Sequence, residues 1–466
     1  MTHYDLAIIG SGSGNSLITP DWDGRKVALI DGGVFGGTCL NVGCIPTKMF
    51  VFPAELATGA KEAGALGVDL ELRGVRWRTI RDRIFSRIDA ISWDGRRYRA
   101  DELENVALYE DYVRFTGDRS LVTGAGEEIH ADQVVIAAGS RAMLPDIPGI
   151  TLPQVHTSDT IMRLDELPGR ILIIGGGYIA AEFAHIFGAF GSAVTVVNRS
   201  GQLLRTLDDT VSAAFTAEAV RQWDVVLDHT VASLTANDDG SVHAVLAGDS
   251  ARELDVDVVL VAAGRVPNTD RLDAAAVGLD LEADGRLVVD AQQRVLRDGA
   301  PVDGVWALGD VSNKFQLKHV ANHEARIVSH NLTHPEDLRS SDHRFVPAAV
   351  FTHPQVAVVG LTESEALAKA EAEGFEVAVV VQQYGSTAFG WAMEDTTGFV
   401  KLIADRRTGL ILGAHIMGHE ASMIIQPVIQ AMSFGLDAQS MASGQYWIHP
   451  ALTEVIENAL LSLKAG

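Results

Sequence analysis

The chain has 466 residues, of which 47% are hydrophobic, enough for two or three domains with real cores. Lys and Arg number 37 against 61 Asp and Glu, and a net charge of −24 leaves no basic face for nucleic acid. Beyond that exclusion the acidic balance speaks only to solubility.

Residues 4–31 read as strand, glycine turn, helix and strand. YDLAIIG ends at Gly10, GSGSGN adds Gly12 and Gly14, and VALID brings Asp31 twenty-one residues after Gly10. Such a turn lets backbone N–H groups meet a pyrophosphate at a helix N-terminus, while the acid takes ribose hydroxyls. Asn15 stands where a third glycine is usual, so the strand context and Asp31 must favour dinucleotide binding over a plain tight turn. A strand beginning at residue 4 leaves no signal peptide to expect, which points to the cytoplasm.

GGTCLNVGCIPTK, residues 36–48, holds Cys39 and Cys44, the only cysteines of the chain. In a regular helix, positions five apart lie about 8 Å from each other. A disulfide needs its Cα atoms within about 7 Å, so the first turn has to be distorted. Gly43 permits the distortion, and Pro46 suits the start of the helix that follows. A strained, accessible disulfide is readily reduced, and a helix N-terminus stabilises the thiolate left behind. The alternative is a structural staple, unusual where no oxidising compartment is indicated. A working redox pair is expected.

ILIIGGGYIAAEFAHIFGAF, residues 171–190, is apolar enough to suggest a membrane span. Three successive glycines, Glu182 and His185 favour a buried strand, turn and helix instead. The stretch supplies Gly175, Gly177 and Ala180, and the strand AVTVVNR follows, so the first unit recurs and two dinucleotides are expected. The second strand ends at Val197 and Asn198 without an acid, and Arg199 and Arg205 come next. An acid would pair with a 2′-hydroxyl and repel a 2′-phosphate, whereas arginines can clamp the phosphate. The bland reading is two solvated surface arginines.

Two strand ends are alike, VVIAAGSRAMLP with Gly139 and VVLVAAGRVPN with Gly264. GVWALGDVS then places Asp310 after a buried strand, and LKHVANHEA reads as a helix. His319 and His323 lie four apart on it, but zinc usually takes at least three protein ligands, so no metal site is expected there. HPEDLRSSD, residues 334–342, is a connector, and from about Arg344 the texture changes. At the end, GQYWIHPALTEVIENALLSL puts Pro450 where a helix would begin, with Leu452, Val455, Ile456, Ala459 and Leu460 as an apolar stripe. His449 stands five residues before Glu454, within reach for an acid that orients a histidine.

Residues 36–48 resemble, over thirteen consecutive positions, the redox signature of the class I pyridine nucleotide-disulfide oxidoreductases, and the resemblance extends over essentially the whole chain. It implies an α/β fold with two Rossmann-like dinucleotide-binding domains plus a C-terminal α+β dimerisation (interface) domain. The implied boundaries are 1–147 and 269–338 for the two parts of the FAD-binding domain, 148–268 for the NADPH-binding domain, and 339–466 for the interface.

By the same resemblance FAD lies against Gly10, Gly12, Gly14, Asp31, Thr38, Gly139, Asp310 and His319. NADPH lies against Gly175, Gly177, Tyr178, Ala180, Arg199, Arg205 and Gly264. Lys48 and Glu182 match an ion pair near the flavin, and Tyr178 covers the nicotinamide pocket. Cys44 is expected to be the thiolate beside the flavin and Cys39 the thiol that attacks a small-molecule disulfide. His449 and Glu454 match an HPxxxE signature whose histidine acts as acid/base on the cysteines of the other subunit, which implies a homodimer with shared sites. Ala451 departs from the threonine of glutathione reductases without touching that pair.

No second cysteine pair lies near the C-terminus, and no acid follows the second glycine motif; reductases of small disulfides remain. SGSGNS, YGSTAFGWAMEDTTGFVKL and GQYWIHPALTEVIENALL resemble the mycothione-reducing branch of the family. Lipoamide- or glutathione-reducing members are the alternative. A flavin-bearing subunit without turnover is the reading from another class, and the intact Cys39, Cys44, His449 and Glu454 speak against it.

Overall fold

The computed structural model describes residues 1–463. Its first sheet begins with β1 (Thr2–Ile9) and β2 (Val27–Ile30), paired in parallel. Leu6, Ala7, Ile8 and every residue of β2 are buried, because the sheet is covered on both faces. Each fully buried Leu or Ile contributes about 1.5–3 kcal/mol. Three helices follow, α1 (Gly37–Asn41), α2 (Cys44–Glu62) and α3 (Trp77–Arg97), then β3 (Val106–Tyr109) and β4 (Glu128–Ile136).

The second sheet holds β5 (Arg170–Ile174), after which come α4 (Tyr178–Phe190), β6 (Ala193–Val197), α5 (Asp209–Gln222) and β7 (Val258–Val261). The chain then returns, and β8 (Ala300–Ala307) pairs in parallel with β4 of the first sheet. The parallel order is β8-β4-β1-β2-β3 in the first sheet, and Asp224–Val226, β6, β5, β7, Val155–His156 in the second. The internal repeat is therefore a repeat of topology. Helix α6 (Lys318–Thr333) leads to an antiparallel sheet ordered Pro347–Val350, Gln355–Gly360, Ile411–Gly418, Phe399–Asp405, Val377–Gln383. Helix α7 (Glu454–Ser462) closes the described chain with Val455, Ile456, Ala459 and Leu460 fully buried. The last three residues of the 339–466 span expected for the interface lie outside the described residues.

Two expectations are corrected. The helix expected inside residues 4–31 is only a pair of 3-10 turns, Gly14–Leu17 and Pro20–Trp22. Pro20 has no N–H to give, and it forces Thr19 into extended backbone at φ −106°, ψ 171°. The second copy has no such proline, and α4 runs on to Gly191, a left-handed cap at φ 106°. The C-terminal helix begins at Glu454, not at Pro450. The Glu454 carboxylate accepts the Ala451 N–H at 3.2 Å, which holds the preceding residues as a turn.

Candidate active site

The two glycine turns are built alike. Gly10 has φ 111° and donates its N–H to the Ile30 carbonyl at 2.8 Å; Gly175 has φ 127° and donates to Val197 at 2.9 Å. A Cβ at either glycine would stand 2.3 Å from a carbonyl oxygen, of Ala137 in the first copy and Ala262 in the second. Neither position tolerates a side chain. In the first copy Gly14 takes the close-packing role, since a Cβ there would lie 2.8 Å from Ile8 Cγ2. Asn15 is thereby released to accept from Arg99 Nε at 2.8 Å.

From the first turn a cavity of ≈ 640 Å³ runs past Gly12, Asp31, Gly139 and Asp310 to Thr38, Cys39, Cys44, Lys48 and Tyr178. Gly12 and Gly37 approach so closely that a Cβ on Gly37 would lie 2.8 Å from Gly12 Cα. Asp31 accepts the Ser11 N–H at 2.7 Å and the Gly33 N–H at 2.8 Å, which pins it at the end of β2. Asp310 accepts the Ser140 hydroxyl at 2.7 Å, and Arg265 Nε donates to that same hydroxyl at 2.7 Å. Lys318 donates to Ser13 Oγ at 2.7 Å beside the first turn. A long groove with a bare-backbone glycine cradle, an acid on each side and a lysine at the turn fits FAD.

Ser140, Arg265 and Lys318 escaped the sequence reading. The first two lie in the two similar strand ends, which pair antiparallel as Ser140–Ala142 against Arg265–Pro267. The likeness of those stretches was the signal, and their mutual contact was not readable from it.

Cys39 lies in α1 and Cys44 opens α2, both as free thiols. Gly43 separates the helices at φ −127°, ψ −125°, the break that the spacing demanded. The Cys39 thiol donates to Cys44 and draws the Cys44 thiol down to about 7, with Lys48 assisting and burial opposing. Cys39 is pushed up by the same bond, because it must keep its proton to donate it. Cys44 is also the first residue of a nineteen-residue helix, where backbone N–H groups favour an anion.

Lys48, one turn along α2, donates to both carboxylate oxygens of Glu182 at 2.7 Å. Glu182 sits on α4, is buried, and also accepts the Phe351 N–H at 3.1 Å. The ammonium stands 4.7 Å over the Phe351 ring. Losing either charge would leave the other without its partner in a largely desolvated place. Tyr178 opens α4 beside this pair, and burial pushes its phenol up to about 12.

Other expected residues lie elsewhere. His319 stands beside the cavity-lining Leu317 and Lys318, and its Nε2 meets the Pro347 carbonyl at 2.8 Å. Gly177 caps α4, Ala180 is buried within it, and Gly264 has φ 134° at the end of β7. Arg199 and Arg205 are exposed beyond β6. His449 is 71% exposed, with Nδ1 2.6 Å from Glu454 Oε1 and the Glu454 carboxyl held below its ordinary range by that bond. This pair does not line the cysteine cavity of its own chain. Among the described residues no helix is long and apolar enough to cross a membrane.

Residues 4–325 match the Pyridine nucleotide-disulphide oxidoreductase family, and residues 346–460 match its dimerisation domain. The chain belongs to the pyridine nucleotide-disulphide oxidoreductase family. It is an FAD- and NADPH-dependent oxidoreductase acting on disulfides, and the dimerisation domain supports a homodimer. Among its relatives, mycothione reductase of Mycobacterium tuberculosis is 51% identical over 475 residues, covering 100% of both chains. A dihydrolipoyl dehydrogenase of Synechocystis is 31% identical, covering 98% of each chain. The solved structure of the HOCl-induced flavoprotein disulfide reductase RclA from Escherichia coli matches with a TM-score of 0.84 at 29% identity, covering 99% of this chain and 100% of that one.

Proposed function

We propose that this family member reduces mycothione to two molecules of mycothiol with NADPH, in the cytoplasm. One observation carries the substrate: 51% identity over all of both chains to a mycothione reductase, against 31% to a dihydrolipoyl dehydrogenase. Bound FAD would relay electrons from the nicotinamide to the cysteine pair. Cys39 then attacks one sulfur of the substrate disulfide; a mixed disulfide forms and the first thiolate leaves. Cys44 attacks the Cys39 sulfur, closing the Cys39–Cys44 disulfide and releasing the second thiolate. The pair is thus oxidised by two electrons as the substrate is reduced by two.

His449, held by Glu454, takes the Cys39 proton as that sulfur attacks and passes it to the departing thiolate. Because His449 lies away from the cysteines of its own chain, it serves the site of the other subunit in the dimer. Lys48 and Glu182 hold the flavin-facing end of the cavity, and Tyr178 covers the nicotinamide side. Arg199 and Arg205 take the 2′-phosphate of NADPH. The Asn198 side chain turns inward to donate to the Ser200 and Gln202 carbonyls, at 2.9 and 2.8 Å, so no acid opposes a phosphate there. The domains divide at 1–147, 148–268, 269–338 and 339–466.

The test is turnover of mycothione, oxidised glutathione and lipoamide side by side, each with NADPH and with NADH. Rapid NADPH turnover of mycothione alone is expected. Preference for lipoamide with NADH would overturn both the substrate and the two arginines.

A further inference from the structure

Lys401 lies in the middle of the Phe399–Asp405 strand of the antiparallel sheet and is 2% exposed. A buried ammonium needs a partner for each of its three N–H groups. Lys401 has them: Asp208 Oδ1 at 2.7 Å, Glu363 Oε2 at 2.7 Å and Thr210 Oγ1 at 2.9 Å. Asp208, 1% exposed, is equally saturated, accepting also the Thr210 N–H at 3.0 Å and the Glu363 N–H at 2.9 Å. Burial would raise the Asp208 carboxyl, and Lys401 and the Glu363 N–H overcome it to hold the group ionised. A strand of the antiparallel sheet and the N-terminus of α5, far apart in sequence, are joined here by one buried charge pair.

Asp208 caps α5 and ends the loop that starts at Asn198 and carries Arg199 and Arg205. Inside this loop Leu203 and Leu204 are buried while the two arginines face out. Leu204, next to Arg205, has φ 51°, a left-handed backbone that disfavours a non-glycine residue. It is held there by its N–H on the Gly176 carbonyl at 2.7 Å and by the Ser212 hydroxyl on its own carbonyl at 2.8 Å. The loop is thus fastened at the second glycine turn, at α5 and at Asp208. Only the last anchor depends on the antiparallel sheet.

We propose that Lys401 is a positioning residue for nucleotide choice: by holding Asp208 it fixes the loop end from which Arg205 reaches the 2′-phosphate of NADPH. This rests on the reading of Arg199 and Arg205 as the phosphate clamp. NADH carries an uncharged 2′-hydroxyl at that point, which makes no demand on the arginines, so its binding is indifferent to the loop.

The experiment compares Lys401→Met, Asp208→Asn and Arg205→Ala holoenzymes by KM and kcat for NADPH and for NADH. It adds titration calorimetry of 2′,5′-ADP, which reads the clamp without turnover. Lys401→Met is expected to raise KM for NADPH and weaken 2′,5′-ADP about tenfold, with NADH constants and kcat within about twofold. Asp208→Asn keeps a helix cap while removing the charge, so it shifts the same constants in the same direction by less; it decides the matter if Lys401→Met does not fold. In an Arg205→Ala background Lys401→Met adds nothing further, because the two act through one contact. Equal losses for NADPH and NADH, or unchanged 2′,5′-ADP affinity in both folded variants, overturn the proposal. If Arg205→Ala itself leaves NADPH untouched, the clamp reading fails first.

Discussion

Interaction between the Cys39 and Cys44 thiols, with Lys48 assisting, favours placing the charge of the reduced pair on Cys44. It draws Cys44 down to about 7 and pushes Cys39 up, so the first proton lost belongs to Cys44. Removing the donor should undo this. In Cys39→Ala the Cys44 thiol is expected to move back toward the ordinary value of about 8.5. Cys39→Ser, which keeps a hydroxyl donor, should fall between. The pH dependence of Cys44 alkylation by iodoacetamide measures all three, and an unchanged midpoint in Cys39→Ala would leave Lys48 and the helix N-terminus as the cause. The pair and its spacing were legible in residues 36–48. That Cys44 carries the charge was implied only by the family resemblance; the residues alone do not show it, because it depends on the rotation of one thiol toward the other.

At the scale of elements, each βαβ unit stands on one glycine with no room for a Cβ, and the two units serve different nucleotides. Gly10→Ala and Gly175→Ala meet the same obstruction, a carbonyl oxygen at 2.3 Å and a left-handed φ. Their consequences should separate. Gly10→Ala is expected to purify depleted of flavin, read by absorbance. Gly175→Ala should keep its flavin yet be reduced by NADPH about five- to thirtyfold more slowly, the size of about 1–2 kcal/mol of backbone strain. Flavin loss from both would mean that the units do not act apart.

The repeat was plain in the sequence because Gly10 and Gly175 recur with their strands. The truncated first helix was hidden by that likeness, although Pro20 was there to be read. The buried Lys401–Asp208 pair was invisible, since 193 residues separate its partners and only folding brings them within 2.7 Å.

Across the whole molecule, one chain holds every group proposed for the reaction but does not assemble them. Cys39 and Cys44 face the cavity between the nucleotide-binding sheets, while the exposed His449 and the mostly buried Glu454 sit at the end of the antiparallel sheet domain. The neighbouring Tyr446 and Ile448 are 102% and 75% exposed, an apolar surface beside the histidine that a second copy would cover. Sequence resemblance supplied the two ends of this arrangement; their separation within one chain supports the proposed sharing of the site between subunits. A mixed dimer tests it. Cys39→Ser and His449→Ala homodimers should each be nearly inactive in disulfide reduction. In a purified dimer of one chain of each kind, two-fold symmetry puts the intact cysteines of one subunit opposite the intact histidine of the other, and both defects in the second site. Such a dimer should recover about half of wild-type turnover. If His449 acted on its own chain, both sites would stay damaged and the mixed dimer would be as inactive as its parents.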